Sequence, residues 1–145
     1  MMEKVRENFK RADIVIGAAA VGDFTAPKTK GKIKREGSNG ITLHLEPTED
    51  IMAWAGRNKG KKILVGYSAQ SGTGLDEAKR KIKSKNLDMI VYNDIGKEGL
   101  GFESDNNDIK VLGRTGAVLY EGKDSKENLA AVIMGLIEKR VVNEK

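Results

Sequence analysis

The chain has 145 residues, a length that fits one domain with a single core. With 39% hydrophobic and 32% charged residues, 17 glycines and two prolines, it is not a disordered or collagen-like chain, and no apolar run approaches the roughly 18 residues of a membrane-spanning helix. It has no cysteine, which excludes disulfides, thiolate zinc sites and thiol chemistry.

Residues 1–11 carry alternating charges rather than the apolar core of a signal peptide, so they predict a helix and a cytoplasmic location. Residues 14–20, 63–67 and 89–92 are continuous apolar runs, expected of parallel strands covered on both faces. The alternating segment 41–45 predicts a strand with one exposed face, paired with residues 32–35 across a turn at 37–40. Residues 48–58 read as a helix with Thr48 as N-cap and Ile51, Met52, Trp54 and Ala55 as its apolar side. Residues 75–85 place Leu75, Ala78 and Ile82 on one helical face and complete a strand–helix–strand unit. Asp105, Asn106, Asn107 and Asp108 lack the glycine and glutamate of a calcium loop and read as a turn. A hairpin of 109–112 with 118–120 follows, around Gly113, Arg114, Thr115 and Gly116. Residues 125–142 read as a helix with Ser125 as N-cap and a stripe of Leu129, Val132, Ile133, Leu136 and Ile137.

The expected fold class is α/β: a Rossmann-like, mostly parallel sheet flanked by helices, with an antiparallel hairpin or flap extension. Opening on a helix, with no parallel strand before the first, is unusual for a doubly wound sheet. It suggests the latter part of a larger unit.

Basic residues outnumber acidic ones 26 to 21. Ten sit in two runs free of acidic residues: Lys28, Lys30, Lys32, Lys34 and Arg35, and Lys79, Arg80, Lys81, Lys83 and Lys85. Without them the remainder is net acidic, so a polyanion is the expected ligand unless both runs are simply solvated. Open α/β sheets bind ligands beyond the carboxyl ends of their strands, here 18–24, 46–51, 67–73 and 93–94. Small residues at 18–22 let a flat ligand approach the backbone and leave Asp23 to accept from a ribose hydroxyl; a tight strand-to-loop crossing explains them equally well. Lys32 and Lys34 point to one side of an extended segment, and Lys81 and Lys85 share a helical face. His44 reads as a surface residue and Trp54 as core. Gly72-Thr73-Gly74 is not a Walker loop, and no serine–histidine–acid set is present.

In order, Ala19-Ala20-Val21-Gly22-Asp23-Phe24, Lys32-Ile33-Lys34-Arg35, Leu43-His44-Leu45 leading to Glu49-Asp50-Ile51, Gly66-Tyr67-Ser68-Ala69, Lys81 with Lys85-Asn86-Leu87-Asp88, Asn93-Asp94, and Gly101-Phe102 with Ser104-Asp105-Asn106-Asn107 form a set. This set resembles the phosphopantothenate–cysteine ligase domain, the synthetase half of the bifunctional coenzyme A biosynthesis flavoprotein. The resemblance implies that CTP activates the carboxylate of 4′-phosphopantothenate as an acyl-cytidylate and that cysteine's amine then displaces CMP, with Mg²⁺ in attendance. It places Gly17, Ala18 and Ala19 near the base, Asp23 at the ribose, Lys32 at the phosphates as the catalytic residue, and Glu49, Asp50, Ile51 and Met52 at the base. Tyr67 takes the place of a family phenylalanine, and Lys81 and Lys85 complete the cationic set; metal ligands are not assigned. Family members are typically dimers, and the strand at 41–45 offers an edge for a homodimer.

Two departures matter: Gln70 replaces a family carboxylate, and Thr48-Glu49-Asp50-Ile51 replaces Asn-Pro-Asp-Ile. The family's N-terminal Gly-Gly-Thr and Asn-x-Ser-Ser-Gly segments have no counterpart in these residues. The expectation is therefore a C-terminal portion of the ligase domain, binding nucleotide with little turnover unless a further segment or partner chain supplies the rest. A regulatory nucleotide-binding module is the alternative. Nucleic-acid binding ranks third, because the aromatic residues are not interleaved with the basic runs.

Overall fold

The computed structural model describes residues 1–32, 40, 42–70, 74–96 and 105–143. In chain order its elements are α1 (Met2–Phe9), β1 (Ile14–Gly17), β2 (Phe24–Thr25), β3 (Glu46–Pro47), α2 (Ile51–Arg57), β4 (Ile63–Gln70), α3 (Gly74–Ser84), β5 (Met89–Asp94), β6 (Asn106–Gly113), β7 (Val118–Ser125) and α4 (Lys126–Asn143). They divide into two compact units, one of residues 1–18 with 51–145 and one of residues 19–50.

The larger unit is built on a sheet of order β1-β4-β5-β6-β7, in which β1, β4 and β5 run parallel and β6 and β7 are antiparallel. The α/β class is as expected. Ile63 to Val65 and Met89 to Tyr92 are at most 4% exposed, which explains why these strands read as unbroken apolar runs. Strand alternation divides them between two cores. Leu64, Ile90, Tyr92 and Leu112 pack with Phe9, Ala55, Ala78 and Ile82 of the first three helices. Ile63, Val65, Met89, Val91, Ile109 and Val111 pack with Leu129, Ile133 and Ile137 of α4. Trp54, expected in the core, is partly buried and packs against it, with its ring edge-on to Phe9 at 5.0 Å.

Asp88, 3% exposed, ties the amino ends of the central strands together. Its Oδ2 accepts from Lys59 and from the Leu64 N–H at 2.8 Å, and its Oδ1 from Arg114 at 3.3 Å and Arg140 at 3.2 Å. Gly56 is fixed by close approach: a Cβ there would collide with the Lys85 carbonyl, so any larger residue would push α2 off the corner after α3.

Several expectations are corrected. β1 ends at Gly17, not residue 20. α2 begins at Ile51, because Thr48 is engaged elsewhere: its N–H donates to Asp23 O (2.8 Å) and its hydroxyl to Gly22 O (2.6 Å). Residues 42–45 are exposed and form no strand; the short ribbon instead pairs Phe24 with Pro47 and Thr25 with Glu46. The expected partner strand and turn, residues 33–39, lie outside the described residues, as do Lys34, Arg35, Ile41, Gly72, Thr73, Gly101, Phe102 and Ser104. Asn106 to Asp108 are not a turn, because they extend β6 against Lys123 to Ser125. The turn of that hairpin falls at Gly113 to Gly116, as expected. Ser125 does cap α4, its Oγ accepting from the Asn128 N–H at 3.2 Å. Among the described residues no helix is long and apolar enough to cross a membrane.

Candidate functional site

In the sheet unit, Gly17 closes β1 in register with Gly66 of β4, which puts it one residue short of Tyr67 across the ladder. A Cβ on Gly17 would lie 2.6 Å from Met52 Sδ, so the Met52 thioether rests directly against the glycine and would have to shift for a larger residue. Two sequence-nominated residues, Gly17 and Met52, thus meet at the carboxyl end of β1 on the face covered by the first three helices, while Tyr67, next to the register partner Gly66, stands on the opposite face. Ile51 opens α2 beside them in the chain, and Ala18 is exposed just past β1.

Alternation along β4 sends Tyr67 and Ser68 to opposite faces. Ser68 is buried and accepts a 3.2 Å hydrogen bond from Lys81 Nζ on the α3 side. Tyr67 faces α4 and lines a cavity of about 160 Å³ with Val91, Asn107, Ile109, Leu129 and Ile133. Burial pushes its hydroxyl above the usual tyrosine value of about 10. The folded state therefore keeps a proton that the unfolded chain releases, and stability falls as pH rises past about 10. Tyr67→Phe is expected to flatten that fall in melting temperatures followed between about pH 9 and 11. Lys85 follows α3, half-buried, its N–H bonded to Lys81 O at 3.0 Å and its carbonyl against Gly56.

The second basic run does not act as one patch. Lys81 turns to Ser68, whereas Lys79 and Lys83 line a different pocket with Arg114 to Ala117. Ser68 and Asn107 belong to the sequence set that carries the resemblance, but neither is assigned to the site there, and Asn107 reads as part of a turn. Asn107 lies two residues before Ile109 on the same face of β6, a period-2 signal that marks it as inward-facing. Its Oδ1 and that of Asn93 are buried and without a hydrogen-bond partner among the described residues.

In the unit of residues 19–50, the two bonds from Thr48 pin the backbone carbonyls of Gly22 and Asp23. Ala19, Asp23, Lys32, Glu49, Asp50 and His44 are all exposed. Among the described residues no three histidine, cysteine, aspartate or glutamate side chains cluster to hold a metal.

The family model described as the DNA/pantothenate metabolism flavoprotein C-terminal domain matches residues 1–141. The chain belongs to this family. The coenzyme A biosynthesis bifunctional protein CoaBC of Bacillus subtilis is 41% identical over 118 residues, covering 80% of this chain and 29% of that protein. A cysteine/cysteine sulfinic acid decarboxylase of an unknown prokaryotic organism is 37% identical over 139 residues, covering 94% of this chain and 39% of its own length. The crystal structure of a CoaBC C-terminal domain superposes with a TM-score of 0.74 at 29% identity, over 98% of this chain and 63% of that one. This flavoprotein C-terminal domain thus spans well under half of these two curated relatives, and the decarboxylase name describes a protein of which it is a part-length match.

Proposed function

We propose that these residues form the nucleotide-handling part of a phosphopantothenate–cysteine ligase acting in coenzyme A biosynthesis with CTP. The observation that most supports the reading is Lys81 held at the buried Ser68, two residues past Gly66 on β4, whose register partner Gly17 lies against Met52. On the sheet unit, Gly17, Ala18, Ile51 and Met52 take the base, Tyr67 packs beside it, and Lys81 and Lys85 supply positive charge. On the unit of residues 19–50, Ala19, Glu49 and Asp50 belong with the base, Asp23 accepts from the ribose, and Lys32 holds the phosphates.

The 4′-phosphopantothenate carboxylate attacks the α-phosphorus of CTP, and pyrophosphate leaves. Cysteine's amine then attacks the acyl carbon, giving the amide and CMP. Neither step needs a covalent enzyme nucleophile. What the chain must supply is positioning and neutralisation of charge on the phosphates, which lysines do. Mg²⁺ belongs to the reading as the ion that arrives with the triphosphate, since it keeps most of its waters and binds chiefly through substrate phosphates. A homodimer and a cytoplasmic location complete the proposal.

The 145 residues include no Asn-x-Ser-Ser-Gly segment, so they are expected to bind CTP while forming little or no amide alone. The check is a turnover assay with 4′-phosphopantothenate, CTP and cysteine. Robust amide formation by these residues alone would contradict the expectation of little turnover, and absence of CTP binding would contradict the reading itself.

A further inference from the structure

We propose a second anion site in the sheet unit, formed by Lys79 and Lys83 of α3 with Arg114 and Thr115 of the β6–β7 turn, that takes the phosphate group of a phosphorylated small molecule. These residues line a pocket of about 370 Å³ with Gly116 and Ala117, within the size range of small-ligand sites, and no carboxylate is among them. The pocket draws three cations from two separate elements. Lys79 and Lys83 are four apart on α3 and so share a face. The stem of Lys79 lies against the turn, its Cγ 3.5 Å from where a Cβ would sit on Gly116, a residue whose φ of +85° holds the turn tight.

Arg114 is positioned in advance. Its Nη1 donates to Asp88 Oδ1 at 3.3 Å and its Nη2 to Asn86 Oδ1 at 2.9 Å, while the side chain stays 51% exposed. A guanidinium has five N–H donors, so three remain to meet an incoming oxyanion. Asp88 does not neutralise this corner, because its single carboxylate is already shared among Lys59, Arg114 and Arg140. Thr115 Oγ1 accepts from the Ala117 N–H at 3.5 Å and keeps its own proton to donate. Two point charges, a fixed planar fork and a hydroxyl suit a phosphate dianion.

The site is distinct from the proposed nucleotide end of the sheet. Gly113 pairs with Met89 at the start of β5, and Asp94 ends that strand five residues on, roughly 16 Å away at about 3.3 Å per residue.

The test is a ¹⁵N–¹H titration of the full chain with inorganic phosphate at constant ionic strength, repeated with CTP and with a short DNA duplex. The Lys79→Met/Lys83→Met variant keeps the aliphatic packing on Gly116 and removes the charge. The expected result is saturable phosphate shifts at Thr115, Gly116 and Ala117 that weaken at least tenfold in the variant, while CTP shifts at Gly17 and Tyr67 are unchanged. Non-saturating phosphate shifts, an unaltered affinity in the variant, or loss of the CTP response along with the phosphate response would each overturn the proposal. So would a duplex that displaces phosphate from the turn and binds more tightly there, since the surface would then read nucleic acid.

Discussion

Asp88→Ala is expected to destabilise the sheet unit by about 3–5 kcal/mol, the usual cost of removing one partner from a buried ion pair. The reason lies in what is left behind. Lys59 is 8% exposed, and without Asp88 its ammonium is buried without its counter-charge, while the Leu64 N–H loses its acceptor at the start of β4. Since a domain is stable by only about 5–15 kcal/mol, such a loss consumes much of the margin. Arg114→Ala removes a partner that is half exposed and is expected to cost only about 1 kcal/mol. Urea denaturation of the two variants separates them. A loss below about 1 kcal/mol for Asp88→Ala would show that the cations find other partners.

Lys32→Ala is expected to weaken CTP binding by about 10- to 100-fold, the equivalent of one charge-assisted hydrogen bond of roughly 1.5–3 kcal/mol. Lys32 is exposed, so its removal leaves no cavity and no buried group unpaired, and the folded state should be unaffected. A change in affinity without a change in melting temperature therefore reports the ligand contact itself. Lys32→Arg keeps the charge but changes its reach and shape, and is expected to fall between the wild type and the alanine variant.

The fold was legible where local pattern and tertiary burial agree. The apolar runs of β4 and β5, the stripe of α4 with its Ser125 cap, and the hairpin around Gly113 to Gly116 all carry their signal within a few residues. Legibility failed where partners come from far along the chain. Thr48 has the chemistry of an N-cap, but carbonyls 25 and 26 residues earlier claim its donors. Residues 42–45 alternate like a strand, yet it is Glu46 and Pro47 that pair with the chain after Asp23. Asn106 to Asp108 have turn composition but lie opposite a strand longer than its apolar part.

The site was partly legible for the same reason. Glycine and small residues near strand ends marked Gly17, whose meaning came only with Met52 against it. A continuous apolar strand gives no sign of which residue faces which layer, so nothing in Gly66-Tyr67-Ser68 revealed that Tyr67 looks toward α4 and Ser68 toward Lys81. The lysine run of α3 looked like one patch because composition counts charges, whereas helical geometry distributes them. Lys81 and the pair Lys79 and Lys83 point to different places.

Calorimetric titration of the chain with CTP, alongside ATP and the Lys32→Ala variant, tests the central claim most directly. The account predicts saturable binding of CTP to the wild-type chain and a 10- to 100-fold loss in a Lys32→Ala protein that melts at the wild-type temperature, a loss of roughly 1.5–3 kcal/mol, with ATP as the comparison that reads the base preference. A folded wild-type chain that takes up no CTP, or a variant that binds CTP as tightly as the wild type, would contradict it.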